Sequence, residues 1–281
     1  MHIRSSLSQI KTRHQLCLLT ALLFWLGIFP ACSTPNMAPP IPSSDWGGRY
    51  AYSYSPPQQG TRPAGSVPVT VAVVNPSYRE TDSALMGEIY SKVAKGFTSS
   101  MGTDLDKILI AKGMTTTGPY PSLDEITYSD KKGAELTLAP KIFISTEIKY
   151  GEMHPTQRQQ GLTMERQFSM SISGWISFIM QEPLSGEKMW IKKLELEPVQ
   201  VTGLEIFEAS PRYGSDGCGG RAVVGWDATD KHLYHGQTEA MAGALKQLYP
   251  VIMNAFQRYL DSDEMVQLKE KGKEIRTRKV Y

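Results

Sequence analysis

The stretch that decides the fold is "MERQFSMSISGWISFIM", residues 164–180. Phe168, Met170, Ile172, Ile176 and Phe178 share one parity, and Ser169, Ser171, Ser173 and Ser177 fill the other. A period of two is that of a half-buried β-strand, whose successive side chains point to opposite faces. Upstream, "ELTLAPKIFISTEIKYG" (135–151) repeats the pattern through Leu136, Leu138, Ile142, Ile144 and Ile148. Downstream, "EPLSGEK" (182–188) is turn chemistry, and "KMWIKKLELEP" (188–198) reads as a returning third strand. A kink is expected there, where Lys192 and Lys193 interrupt the alternation.

Further out, "VPVTVAVVNP" (67–76) is a β-branched run stopped by Pro76. Leu85, Ile89, Val93, Phe97, Met101, Leu105 and Ile108 then recur mostly four residues apart, the stripe of a long helix that Gly113 should end. A short helical patch is expected near 122–130. Leu233, Met241, Leu245, Leu248, Ile252, Phe256 and Tyr259 line a second long helix, which Pro250 should kink or break. Between them, residues 202–226 read as irregular, with the glycine-dense "GSDGCGGR" as a surface loop. The economical sum is one α+β domain, residues 67–281: a mainly antiparallel sheet with long helices on one face.

Residues 1–31 are set apart by composition. Arg4, Lys11 and Arg13 form a basic start without an acid, and "QLCLLTALLFWLGIF" (15–29) is an apolar core before Ala31 and Cys32. That is a secretory signal, too short and wrongly flanked for a stable membrane-spanning helix. The whole chain has 30 basic and 28 acidic residues; removing the signal leaves 27 against 28. A near-neutral mature chain offers no general field for nucleic acid. Three cysteines, Cys17, Cys32 and Cys218, exclude a disulfide-stapled scaffold once the signal is cut. Residues 32–66 read as a tether, because Pro35, Pro39, Pro40, Pro42, Pro56, Pro57 and Pro63 forbid a helix or central strand. Within it, "RYAYSYS" sets Tyr50, Tyr52 and Tyr54 on one face of an extended chain, a candidate partner-binding motif.

The small residue before Cys32 at the end of the apolar run resembles the lipobox of bacterial lipoproteins, with Phe29 where Leu, Val or Ile is usual. The resemblance implies acylation (palmitate among the chains) at Cys32. Ser33 resembles outer-membrane sorting. Several acyl chains on one residue hold stably, at about 0.8 kcal/mol per buried methylene.

The hairpin "QEPLSGEKMW", the "KLELE" strand, the "AKGM" helix end, "SDKKGAELTLAPKI" and the terminal "LKEKGKEIR" together resemble the neuraminyllactose-binding hemagglutinin family of outer-membrane lipoproteins, over about residues 67–281. The resemblance implies an outer-membrane lipid anchor, and for the family a sialic-acid-binding adhesin. The family's lysine-rich sugar motif has no counterpart: the comparable loop, "GEMHPTQRQQGL", holds one basic residue, Arg158. No sugar-binding residue is carried over, which counts against glycan binding.

Candidate chemistry elsewhere is thin. His232 and His235 stand at i, i+3 with Asp227, Asp230 and Glu239 nearby, but these polar residues also read as the capped start of the last long helix. The glycine-dense loop lacks the G-x-x-x-x-G-K-[ST] spacing of a phosphate cradle. Cys218 as a nucleophile would need one of those histidines beside it. No catalytic residue, metal site or cofactor is therefore assigned. The expectation is a non-catalytic lipoprotein, held to the membrane by its N-terminal lipid and facing periplasm or cell surface. It would be a structural subunit of a large complex with other envelope proteins, such as the outer-membrane ring of a secretion system. The alternative is a surface adhesin of the hemagglutinin type.

Overall fold

The computed structural model describes residues 50–57, 61–79, 90–159 and 161–279, all within the unit Ile41–Tyr281. The expected signal peptide, Cys32 and the first part of the tether lie outside the described residues.

The opening stretch forms the central strand, β6 (Gly161–Gln181), and the sheet grows from both of its sides. On one side it pairs antiparallel with β5 (Lys141–Arg158) and, at its far end, with β4 (Leu136–Leu138). On the other it pairs antiparallel with β7 (Lys188–Ser215), which pairs in turn with β8 (Arg221–His235). Beyond β4 the sheet becomes parallel. β1 (Thr70–Val74) lies between β4 and β3 (Thr115–Tyr120), parallel to both, and the two-residue β2 (Ser77–Tyr78) runs parallel to the start of β5. The sheet is thus mixed: its long strands β5–β8 are antiparallel as expected, and a parallel part is added through β1–β4. Parallel neighbours need long crossovers, and the chain supplies them. Helix α1 (Ser91–Ala111) separates β1 from β3, and a 3-10 turn (Leu123–Glu125) with α2 (Tyr128–Gly133) separates β3 from β4.

Two long helices close the fold, α3 (Gly236–Tyr259) and α4 (Ser262–Arg278). The expected stripe of α1 is buried from Val93 to Ile108, while Leu85 and Ile89 fall outside the described residues. Gly113, at φ +90°, ends that helix in a conformation that penalises any Cβ. Pro250 does not break α3, which runs through it as one helix. Asp261 caps α4, accepting from the backbone N–H groups of Asp263 and Glu264 at 2.9 and 3.0 Å.

One core joins the helices to one sheet face: Phe97, Met101, Leu105, Ile172, Ile176, Phe178, Met241, Leu245, Ile252 and Phe256 are fully buried. Each such side chain stabilises by on the order of 1.5–3 kcal/mol. A smaller cluster on the opposite face packs Ala72, Val74, Ile126, Ala134 and Ala139 under Tyr120.

Two local expectations change. The irregularity in β7 does not fall at Lys192 and Lys193, which pair regularly with Phe178 and Ser177. Against β6 it falls between Leu196 and Val199, around Pro198, whose missing N–H cannot serve the ladder, and again between Lys188 and Trp190. Residues 202–226 are not irregular: β7 continues to Ser215 and β8 returns from Arg221, with "DGCGG" as the turn between. Alternation on both sides of a glycine cluster is a hairpin signature.

Candidate interaction surface

The tyrosines expected to reach a partner are held by the chain's own domain. Tyr50 and Tyr52 are buried in the main core, and Tyr52 packs edge-on to Phe97 and stacks on Tyr249, with ring centroids 5.2 and 5.4 Å apart. Tyr54 donates its backbone N–H to Asp104 Oδ2 at 2.7 Å, and its hydroxyl lies 2.8 Å from Asn254 and 2.6 Å from Gln257. Asp104, itself buried, also accepts from Tyr249 Oη at 2.7 Å and pairs with Lys107 at 2.7 Å. Burial first, then the Asp104 carboxylate, pushes the Tyr249 phenol well above its usual range. Residues 50–57 therefore form a strap across α1 and α3 rather than a free arm.

The basic C-terminal segment is likewise tied down. Arg276 reaches fully buried Glu182 at 2.7 Å and the Ala134 carbonyl at 2.6 Å, and Lys269 pairs with Glu135 at 2.9 Å. Burial alone would raise the pKa of Glu182. Hydrogen bonds from Arg276 and from the Ser185 and Leu184 backbone outweigh it and hold the carboxyl below its usual value. Glu135 is lowered in the same way, burial opposing and Lys269 with Thr70 prevailing.

The four antiparallel strands β5–β8 run past the helices. Helices α1 and α3 begin at one level of the sheet: Tyr90, just before α1, bonds to Gln237, Gly236 packs on the Leu204 backbone, and Gln237 bonds to Glu205 and to Tyr150. A polar belt marks that level. Arg166 donates to Glu205 Oε2 at 2.6 Å, Gln237 donates to Oε1 at 2.6 Å, and Tyr90 Oη donates to Gln237 at 3.2 Å. The Arg166 guanidinium lies 3.9 Å from the Tyr150 ring centroid and 5.3 Å from that of Phe207. Glu205 is 1% exposed, so both of its oxygens need these donors. The Phe168 ring covers Gly203, where any Cβ would meet it. Burial first, then Tyr150 and Glu205, pushes the Tyr90 phenol up to about 12.

Beyond the belt the alternation continues with no helix of the described residues above it. On the helix side of the sheet follow Met164 of β6, Phe207, Ala209, Pro211 and Tyr213 of β7, and His232, Ala228, Trp226 and Val223 of β8, as the pairings place them. The opposite side carries Glu165, Glu208, Arg212 and Asp227, with Arg158–Glu165 at 2.5 Å and Arg212–Asp227 at 2.7 Å. Tyr213, Val223, Val224 and Trp226 are 54%, 51%, 63% and 41% exposed. Four large apolar side chains crowd the end of one hairpin, which makes it the candidate interaction surface. The signal in the sequence was the alternation around "GSDGCGG".

The remaining candidates part company. His232 and His235 lie at the end of β8, not on a helix. An extra residue at Leu233 breaks the β7–β8 register and sets both rings on one side, stacked 4.0 Å apart at 7°. Burial first, then His235 and Arg166, lowers the pKa of His232 against the pull of Glu205. Among the described residues no three His, Cys, Asp or Glu side chains come together as a metal site. The glycine turn is not an open anion cradle, because Asp216 Oδ1 already accepts from the Cys218 and Gly220 N–H groups at 3.0 and 2.8 Å. Cys218 is an exposed free thiol at that turn. The strand from Phe207, which pairs with His232, to Ser215 at the turn spans roughly 25 Å at a strand's rise, far from a thiol–imidazole pair. The stretch expected as a loop is strand up to Arg158, the last residue of β5, which is occupied by Glu165. No helix among the described residues is long and apolar enough to cross a membrane.

No family model matches the chain, and no curated protein is similar to it. Among solved structures it is similar to a protein described as a neuraminyllactose-binding hemagglutinin homologue from Helicobacter pylori, at 15% identity and TM-score 0.48, covering 80% of this chain and 99% of that one. It is more weakly similar to a lipoprotein from Neisseria meningitidis, at 10% identity and TM-score 0.20 over 68% of this chain and 99% of that one. A hypothetical protein from Chlamydia trachomatis follows, at 10% and 0.19 over 67% and 97%. None of these three reaches a TM-score of 0.5.

Proposed function

We propose that the chain is a non-catalytic, lipid-anchored outer-membrane protein that serves as a structural subunit of a cell-envelope assembly, with the distal β5–β8 blade as its docking element. The observation that carries the reading is the blade itself. It has one charged side and one apolar side, and that apolar side runs beyond the helices to Tyr213, Val223 and Trp226 at the surface. Exposed apolar patches of this kind are stable in water chiefly when a partner covers them. The anchor is Cys32, whose setting after a short apolar run is that of an acylated cysteine.

The strap of residues 50–57 adds a mechanical argument. A chain tied at Cys32 and again through Tyr52 and Tyr54 holds the domain close to its membrane, which suits a fixed subunit. Detergent extraction of native membranes tests the proposal. The chain should emerge in a large complex, and Cys32→Ser should release it from the membrane. A monodisperse monomer from wild-type membranes would sink the reading.

A further inference from the structure

We propose that the blade joins copies of this chain edge to edge, the outer edge of β8 in one copy adding antiparallel to the outer edge of β5 in the next. This rests on the docking role proposed above and names its partner. Among the described residues β8 pairs with β7 alone, and β5 has only Lys141 and Ile142 engaged on its far side, by β2. Among the described residues the same four-stranded unit therefore ends in two edges whose outward backbone groups no strand pairs beyond Ile142, each a template for a further strand.

Parity selects the partner. Strands β5, β6, β7 and β8 alternate in direction, so β8 of one copy runs opposite to β5 of another placed beside it. The junction then continues the ladder found within each copy. A foreign strand satisfies one edge; a second copy satisfies both. The two edges are of similar length, 15 residues in β8 and 18 in β5. Each also carries a large exposed aromatic on the helix side, Trp226 at 41% and Tyr150 at 47%. The junction would therefore join the apolar sides of neighbouring blades.

The irregularities in these strands fit a curved junction. The β7–β8 register shifts three times, near Leu233, between Phe207 and Ala209, and near Val224, and β5 is bulged between Tyr150 and Met153. Bulges bend a strand and increase its twist. A head-to-tail repeat needs such curvature to close as a ring instead of extending as a fibre. Pro155 and Lys149 on β5, with Lys231 on β8, guard against indiscriminate strand addition.

Cysteine cross-linking of the full-length lipidated chain in its own membranes is the test. In a Cys218→Ser background, Val224→Cys on β8 is combined with His154→Cys or Thr156→Cys on the blade half of β5, and the membranes are oxidised. The expected result is a ladder of covalent trimers and larger species only when both strands carry a cysteine. Dimers from Val224→Cys alone would replace this junction with a two-fold β8–β8 one and overturn the proposal. No cross-link in a chain that still extracts as a large complex would overturn it while leaving the assembly role standing. A monomer would remove both. Cross-linking absent, with the blade cysteines labelled by a bilayer-restricted thiol reagent, would assign the apolar side to lipid and overturn it too. Unaltered thermal unfolding of each variant confirms that the fold is intact.

Discussion

The same strands pass through two environments, and the polar belt at Arg166 and Glu205 divides them. On one side of the belt, Phe168, Met170, Ile172, Ile176 and Phe178 are sealed under α1 and α3. On the other, the alternation persists to Trp226 and Val223, yet no described helix lies over it. An alternating pattern states only that one side of a strand is apolar. What covers that side is a separate fact, supplied here by the chain itself in one half and, in our reading, by another copy in the other.

The sharpest way to break this division is to attack the belt. Arg166→Ala leaves Glu205 buried with one of its two partners gone, and should lower unfolding stability by about 3–5 kcal/mol in a denaturant titration. A loss below about 1 kcal/mol would mean that water reaches Glu205 and that the belt is no boundary.

The strap is next. Tyr52→Ala removes a ring wedged between Phe97 and Tyr249 and should cost about 3 kcal/mol. Tyr52→Phe should be neutral or slightly stabilising, because the Tyr52 hydroxyl is buried without a hydrogen-bond partner. If both substitutions are silent, residues 50–57 do not hold the domain in solution.

pH separates the regions by a smaller effect. The pKa of His232 is lowered from 6.5 in the folded chain, so the unfolded chain binds its proton first. Stability should be unaffected well above pH 6.5 and decline as pH falls below it, levelling once the folded chain is protonated too. His232→Phe should flatten that part of the profile. Glu135 and Glu182 act in a lower window: their folded pKa values lie below 4.5, so their stabilisation is present above that value and lost as pH falls through the folded ones. Lys269→Met and Arg276→Met should weaken this acid-side loss.

At the far end of the blade the effect on folding should nearly vanish. Val224→Lys or Trp226→Ser should change the stability of the isolated chain by no more than about 0.5 kcal/mol. A large loss would show that these side chains belong to the core after all.

Much of the helix-covered half was legible in the sequence, because a single period carries through Phe168–Phe178 and the stripes of α1 and α3 are long. β3 was not legible: "TTTGPY" has no apolar alternation, and it pairs only because β1 offers a parallel edge beside α1. The distal blade was not legible as strand, since charged Glu205 stands on its apolar side and Gly203, Pro211 and Gly214 are weak strand formers. The pairing of Glu205, Glu208 and Arg212 with Arg166, Lys231 and Asp227 appears only when strands distant in sequence meet. The spacing of the tyrosines is legible in "RYAYSYS", but nothing local there announces Phe97 or Tyr249, on which Tyr52 packs. The histidines were set on a helix because i, i+3 spacing has that meaning until a bulge at Leu233 supplies another.

The most direct test of the division is amide hydrogen exchange on the membrane-extracted assembly compared with the isolated chain. The account predicts slower exchange in the assembly along residues 221–227 and along the outer edge of β5, with the helix-covered strands unchanged. Equal exchange in both samples along those residues would contradict it.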